Sequence, residues 1–358
     1  MTEGAANEYK FYDDPLQFYN AMLDDIARAK KYIYLETYRF NNDFIGIKFR
    51  DALARKSKQG VEIKLLMDSW GTSVPVSFFQ EIVQHNGEIR YFQKIKLFWD
   101  FFTKNHKRNH RKLLIIDDVV SYIGSANLTA YSLNWRESVL RIQSDIAESF
   151  KKVFQQHFEI YNKYVPDKRL IIRKITHGSF EIFRDVPSLT KQRIRKKYIE
   201  LIKTSAREII IETPYFLPSY YIRKALSDAV KRGVKVKVFM PKQSDVGLVD
   251  ILRTRYLGPL SKAGIKLFLY SPHNLHAKLL MVDGDVFSIG SPNFDYRSFR
   301  FQHEIVLIGK EPEIIRQLYL HLRETQNNSV EFSYEIWAKR SALHKFFEWL
   351  ILPFRHLL

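Results

Sequence analysis

The sequence predicts an α/β protein of two pseudo-symmetric lobes, each a mostly parallel mixed sheet with helices on both faces. Three observations predict it. First, the pattern His-x-Lys-x4-Asp occurs twice, as His110, Lys112 and Asp117 and again as His276, Lys278 and Asp283. Each copy is followed by Gly-Ser-x-Asn, at Gly124, Ser125 and Asn127 and at Gly290, Ser291 and Asn293. Positions 110 and 276, 117 and 283, and 127 and 293 share one offset of 166 residues. An apolar pattern alone repeats easily, whereas these copies keep their polar residues in register, which marks an internal duplication. Second, the strand–helix–strand units around the motif recur in the same order, and such units imply helices covering a sheet. Third, 358 residues at 46% hydrophobic content are enough for two packed lobes.

In chain order, the first lobe spans 9–165. Asp14 caps and Pro15 opens a helix whose apolar stripe is Leu16, Phe18, Tyr19, Met22, Leu23 and Ile26. The β-branched and aromatic run from Tyr32 to Phe40 reads as a strand. A helix from Ile45 to Lys58 ends at Gly60, and Val61 to Asp68 forms the next strand. A shorter helix, Pro75 to His85, leads to the strand Glu88 to Phe92. The motif strand Leu113 to Asp117 and a partner near Val120 to Ile123 complete the sheet, and a helix from Ile146 to Tyr161 closes the lobe. Residues 166–188 read as a structured linker with Pro and Gly breakers. The second lobe, 189–325, repeats the plan: a helix from Leu189 to Thr204, then matches of Glu36 with Glu212, Thr37 with Thr213 and Gly60 with Gly233. An amphipathic segment, 330–358, has no counterpart in the first lobe.

The residue types in the motif suit a phosphate ester. Imidazole can attack phosphorus and carry it as phosphohistidine. A second imidazole can protonate the leaving oxygen and later deprotonate the incoming hydroxyl. Lys112 and Lys278, with Ser125, Asn127, Ser291 and Asn293, can hold the non-bridging oxygens and the charge that develops on them. On a strand, Lys112 shares a face with His110, two residues away. A lysine stands where a second metal ligand would be needed, so neither a metal nor another cofactor is expected.

The stretches NHRKLLIID (109–117), GSANL (124–128), ETPYF (212–216) and GSPNFDYRSFRFQHE (290–304) resemble the phospholipase D superfamily over roughly residues 9–325, most closely its bacterial cardiolipin synthases that lack N-terminal membrane spans. The resemblance implies that both motifs share one active site at the lobe interface. It implies catalytic roles for His110, Lys112, Asp117, His276, Lys278 and Asp283, with His110 as nucleophile and His276 as acid and base. It also implies that Glu137 and Glu304, which follow the two histidines by 27 and 28 residues, hold the imidazoles through their other nitrogens. An oriented carboxylate would fix the tautomer and stabilise an imidazolium. Asp117 and Asp283 end the motif strands and look structural. Arg297 is expected to bind substrate. It has Tyr131 in its place in the first copy, so the half-sites should treat donor and acceptor differently.

The reaction so implied moves a phosphatidyl group from one phosphatidylglycerol to another lipid hydroxyl and releases glycerol. A phospholipase D hydrolase or a phosphatidylserine synthase-like transferase would share the first half-reaction. A nuclease of the superfamily is a more distant alternative, and the complete polar sets in both copies argue against a non-catalytic scaffold.

Composition bears on the partner. A formal net charge of +18 favours a polyanion. With no cysteine, disulfide scaffolds are excluded. The N-terminal residues lack a signal pattern and no apolar run of 18 residues occurs. The expectation is therefore peripheral association with an anionic phospholipid surface, at the cytoplasmic face of a bacterial cell membrane, rather than nucleic acid. Contacts are expected from Trp99, Phe101 and Phe102, set among basic residues ahead of the first motif, and from Phe346, Phe347 and Trp349 in the C-terminal segment.

Overall fold

The computed structural model describes residues 7–92, 107–161 and 173–353. In chain order the first lobe runs β1 (Glu8–Tyr12), α1 (Pro15–Arg28), β2 (Tyr32–Thr37), α2 (Phe44–Lys58), β3 (Glu62–Asp68), α3 (Gln80–Gln84), β4 (Glu88–Phe92), β5 (Arg108–Asn109), β6 (Leu113–Ile116), β7 (Val120–Gly124), β8 (Val139–Gln143) and α4 (Ile146–Ile160). Its sheet has the order β1-β8-β7-β6-β2-β3-β4. The Asp14 carboxylate accepts the Gln17 N–H at 3.0 Å and so starts α1, while Asp43 accepts from Ile45 and Gly46 to start α2.

The second lobe runs β9 (Ile175–His177), β10 (Phe180–Asp185), α5 (Arg193–Thr204), β11 (Glu208–Glu212), α6 (Tyr220–Lys231), β12 (Lys235–Pro241), α7 (Gly247–Lys262), β13 (Lys266–Tyr270), β14 (Leu279–Val282), β15 (Val286–Gly290), α8 (Tyr296–Phe301), β16 (Gln302–Gly309), α9 (Pro312–Asn327), β17 (Ser329–Glu331), α10 (Tyr334–Ala338) and α11 (Ala342–Ile351). Its sheet has the order β17-β13-β12-β11-β14-β15-β16-β10-β9, with β5 of the first lobe pairing on β16.

Three expectations need correction. Apart from the short parallel pairing of β5 on β16 between the lobes, parallel strand pairs are confined to β2, β3 and β4 and to β11, β12 and β13; the remaining pairs within each sheet are antiparallel. The motif strands β6 and β14 are followed by tight turns rather than by crossover helices, so their partners must run back. The expected helix Pro75–His85 breaks into a 3₁₀ turn, Val76–Phe79, and the short α3. The expected linker also carries β9 and β10, and β10 pairs with β16 along its whole length, so this stretch belongs to the second sheet.

The core explains how the lobes join. One cluster draws on both sheets together with α4 and α9: Leu113, Ile115 and Phe150 meet Phe180, Leu279, Phe287 and Leu318 in it. Outer clusters lie under α1 and α2 in the first lobe and under α5, α6 and α7 in the second. On β6 the alternation is as expected: Leu114 and Ile116 face the outer cluster, Leu113 and Ile115 the shared one. Buried pairs reinforce the arrangement. Glu36 on β2 meets His157 of α4 at 2.6 Å, and its repeat equivalent Glu212 on β11 meets His321 of α9 at 2.7 Å.

Candidate active site

The two motifs meet across the lobe interface, and the backbone explains how. The His110 N–H donates to the His303 carbonyl at 3.0 Å, beside the short β5–β16 pairing. The His276 N–H donates to the Arg136 carbonyl at 2.7 Å. In each case the acceptor is the residue just before a sequence-predicted glutamate of the other lobe. The side chains follow the same crossing. Nδ1 of His110 lies 3.1 Å from Oε1 of Glu304, and Nδ1 of His276 lies 2.9 Å from both carboxylate oxygens of Glu137. Each histidine is therefore held by the glutamate of the opposite lobe.

The Gly-Ser pairs exist to shape this site. A Cβ on Gly124 would stand 2.0 Å from the Ser138 carbonyl oxygen, and one on Gly290 would stand 2.2 Å from that of Ile305. Only glycine lets β7 and β15 approach their neighbours so closely. Ser125 and Ser291 then donate their backbone N–H groups to those same carbonyls, and their hydroxyls to Glu137 and Glu304. The serines thus orient the carboxylates. The side-chain oxygens of Asn127 and Asn293 are buried with no hydrogen-bond partner among the described residues, although the Asn293 side chain also bonds Asp295.

His110, His276, Asn127, Asn293 and Arg297 line one cavity of about 230 Å³. It opens beyond the carboxyl ends of β2, β3, β11 and β12, where α/β layers place their ligands. Lys112 Nζ donates to the His110 carbonyl at 2.7 Å, and Lys278 Nζ lies 2.8 Å from the His276 carbonyl and 3.0 Å from His276 Nε2. The structure brings the two histidines, lysines, serines, asparagines and glutamates together with Arg297, and leaves the two aspartates apart. Asp117 accepts the N–H groups of Lys30, Lys31 and Tyr32, and Asp283 those of Ala206, Arg207 and Glu208. They stand at the far ends of the motif strands and fix the starts of β2 and β11, so they position strands rather than touch the cavity. Asp117→Ala is expected to cost about 1–3 kcal/mol of unfolding free energy, read by urea titration, and to cost a folded molecule far less activity than loss of either histidine.

Sequence reasoning missed several lining residues: Tyr38, Trp70, Trp135, Tyr215, Asp245, Asp295 and Gln302. The Tyr38 ring meets His110 at 5.4 Å between centroids, and Trp135 meets His276 at 4.9 Å. Their signal was position: Tyr38 and Tyr215 follow the repeated Glu-Thr, and Trp135 lies two residues before Glu137. Trp99, Phe101 and Phe102 lie outside the described residues.

The electrostatics break the two-fold symmetry. Burial holds the His110 imidazole well below its usual range, helped by Lys112, Lys278, His276 and Arg297. Burial also lowers His276, but the Glu137 carboxylate opposes it. Burial raises Glu304 to about 8, against Lys112 and Ser291. Burial pushes Glu137 up as well, yet His276, Lys278 and Ser125 outweigh it and hold this carboxyl below the usual value. Lys112 falls to about 7, through burial and the neighbouring Lys278, and burial brings Lys278 to about 8. Among the described residues no group of three or more His, Asp or Glu side chains is arranged to hold a metal ion.

This geometry has close relatives. A family model described as cardiolipin synthase, PLD-like domain, matches residues 22–159 and 198–325. A cardiolipin synthase of Listeria welshimeri is 32% identical over 355 residues, covering 96% of this chain and 73% of that protein. The major cardiolipin synthase of Bacillus subtilis is 30% identical over 335 residues, covering 90% and 69%. Among solved structures, a phosphatidylserine synthase of Haemophilus influenzae superposes with a TM-score of 0.76 at 14% identity, covering 98% of this chain and 95% of that one, a likeness of fold alone. With both copies of its paired His-Lys motif inside the matched residues, the chain belongs to the cardiolipin synthase, PLD-like domain family.

Proposed function

We propose that the chain is a phosphatidyltransferase of the cardiolipin synthase type, acting on phospholipid. The observation that carries this reading is the pair of crossed His–Glu contacts around one cavity. Each Nδ1 is committed to a glutamate carboxyl group, so each Nε2 is the nitrogen left for substrate. His110 Nε2 attacks the phosphorus of phosphatidylglycerol, the bond to the glycerol oxygen breaks, and His276 gives that oxygen a proton. Glycerol leaves. The hydroxyl of a second phosphatidylglycerol then gives its proton to His276 and attacks phosphorus, and the P–N bond to His110 breaks. Cardiolipin is released with both histidines restored.

The asymmetry of the site supports this division of labour. A nucleophile must be neutral, and His110 is surrounded by cations that keep it so. An acid must be able to hold a proton, and His276 has the ionised Glu137 against its Nδ1. The phosphodiester anion draws the lysine ammonium groups onto its oxygens, which frees Nε2 of His276 and favours its protonation. As the lysines carry the charge that binds this anion, kcat/KM is expected to fall as pH rises through about 7 to 8. A pH profile with phosphatidylglycerol as varied substrate checks this, since kcat/KM reports groups of the free enzyme.

The C-terminal helices support attachment to an anionic lipid surface. They pack one side on α7, where the Trp337 indole donates to the Thr254 carbonyl at 2.7 Å and Glu348 is buried against Arg340. The other side is bare, with Phe346 52% and Trp349 63% exposed beside the exposed Lys345. Aromatic and basic residues together suit a headgroup layer. Among the described residues no helix is long and apolar enough to cross a membrane. Replacing Phe346 and Trp349 together by Glu is expected to weaken binding to phosphatidylglycerol vesicles by at least about tenfold, measured by co-sedimentation. We place the enzyme on the cytoplasmic membrane face as part of the same proposal.

The deciding experiment is a product assay by mass spectrometry on phosphatidylglycerol vesicles without added metal, beside His110→Ala and a parallel single-stranded DNA digest. Cardiolipin and glycerol, both lost in the variant, are the expected products. Phosphatidic acid alone would assign a hydrolase, and cut DNA with intact lipid would overturn the lipid reading.

A further inference from the structure

The duplication makes the two halves of the cavity comparable position by position. Phe40 bridges Leu128 and Phe216 bridges Phe294 in the same parallel fashion, so the residues just before them, Arg39 and Tyr215, are equivalent. Both line the cavity. The first half-site thus carries a guanidinium where the second carries a phenol. The difference extends around the walls. On the His110 side, Arg297 lies over the Trp70 ring at 5.5 Å and adds positive charge around His110. On the His276 side, Asp245 stands at the exposed mouth, and the Tyr215 hydroxyl donates to its Oδ1 at 2.6 Å. One half is built for phosphate oxygens and the other for groups that donate hydrogen bonds.

We infer that Tyr215 and Asp245 form a polyol subsite, in which the free hydroxyls of a glycerol headgroup donate to the Asp245 carboxylate and the Tyr215 hydroxyl beside His276. The inference rests on the phosphatidyltransferase reading and deepens it. In-line displacement puts the leaving oxygen opposite His110, at His276, and puts the entering oxygen in the same place. In the proposed reaction both belong to glycerol groups. A single subsite that recognises the remaining hydroxyls would therefore orient glycerol as it departs and the acceptor headgroup as it arrives. Water and simple alcohols have no second hydroxyl to offer there. Asp245 and Tyr215 are specificity residues under this account, because they touch the headgroup and not the reacting phosphorus.

The test is a ratio. Phosphatidylglycerol and phosphatidylpropanol, whose headgroup has no free hydroxyl, compete as donors in one mixed vesicle, where phosphatidylglycerol is the acceptor for both, and the release of glycerol and of propanol is compared. Wild type, Asp245→Asn and Tyr215→Phe are each measured from a single preparation. Any unfolded fraction cancels, as does a change in His276 that affects both substrates alike. The preference of wild type for phosphatidylglycerol is expected to fall about tenfold or more in Asp245→Asn, with a smaller fall in the same direction in Tyr215→Phe. An unchanged ratio in Asp245→Asn overturns the subsite, even if both rates drop together. If wild type releases neither alcohol, the phosphatidyltransferase reading fails first, and the subsite fails with it.

Discussion

His276→Ala is expected to halt at the covalent intermediate when given a lipid phosphodiester with a nitrophenol headgroup. Nitrophenolate leaves without being protonated, so attack by His110 no longer needs the acid. The second half-reaction still needs the imidazole at position 276 to take the proton of the incoming hydroxyl, and the variant lacks it. Nitrophenolate should appear as a burst stoichiometric with enzyme, followed by very slow turnover. The protein should carry a phosphatidyl group on nitrogen, through a P–N bond that acid cleaves. With phosphatidylglycerol itself, where both steps need His276, turnover should fall by about 10³-fold or more. His110→Ala should show neither burst nor adduct. The opposite result, an adduct in His110→Ala and none in His276→Ala, would exchange the roles of the two histidines.

The two glutamates should respond unequally to the same conservative change. Glu137 is ionised and lies 2.9 Å from Nδ1 of His276 through either oxygen. Glu137→Gln removes the charge that favours the imidazolium and can present the wrong hydrogen-bonding group to the ring. Loss of such a carboxylate costs up to about 10⁴-fold in kcat. Glu304 is raised to about 8 by burial, so near neutral pH it already holds its proton much of the time. An amide mimics that state, and Glu304→Gln should cost only about 10–100-fold at pH 7. The sign of the pH effect follows. Above about 8 wild type gains a carboxylate that the amide cannot supply, so the relative defect of Glu304→Gln should grow with pH. Equal losses from both substitutions, independent of pH, would remove this distinction. Stopped-flow measurement of the two half-reactions, with unfolding curves to confirm folding, supplies the comparison.

The duplicated polar residues made most of the site legible in the sequence. His, Lys, Ser and Asn recur because their spacing along one strand and into the next sets their geometry locally. Three things were hidden because they depend on contacts between segments far apart in the sequence. The crossing of Glu137 to His276 and Glu304 to His110 cannot be read from offsets of 27 and 28 residues. The strands β9 and β10 have weak local patterns and gain their identity from pairing with β16. Tyr215 and Asp245 come from separate connections and meet only at the mouth. The mostly parallel sheet was over-read, because βαβ units give strong signals and the short antiparallel returns give weak ones. The C-terminal segment showed its apolar face plainly, but a helical pattern does not reveal that one side would dock on α7.

The crossed glutamates also bear on the origin of the chain's asymmetry. An arrangement in which each half completes the other's histidine has the form of an isologous dimer contact, where a residue of one copy meets its counterpart's partner and the reverse. Two identical single-lobe chains held in this way would be obliged to carry the same side chain at both equivalent positions. Any change would appear twice. Joining the halves in one polypeptide lifts that constraint, because a substitution in one copy leaves the other intact. Arg39 and Tyr215 could then diverge while His110 and His276 stayed alike, and a symmetric pair of phosphate-binding halves could become a site with one side for the phosphate and another for the headgroup hydroxyls.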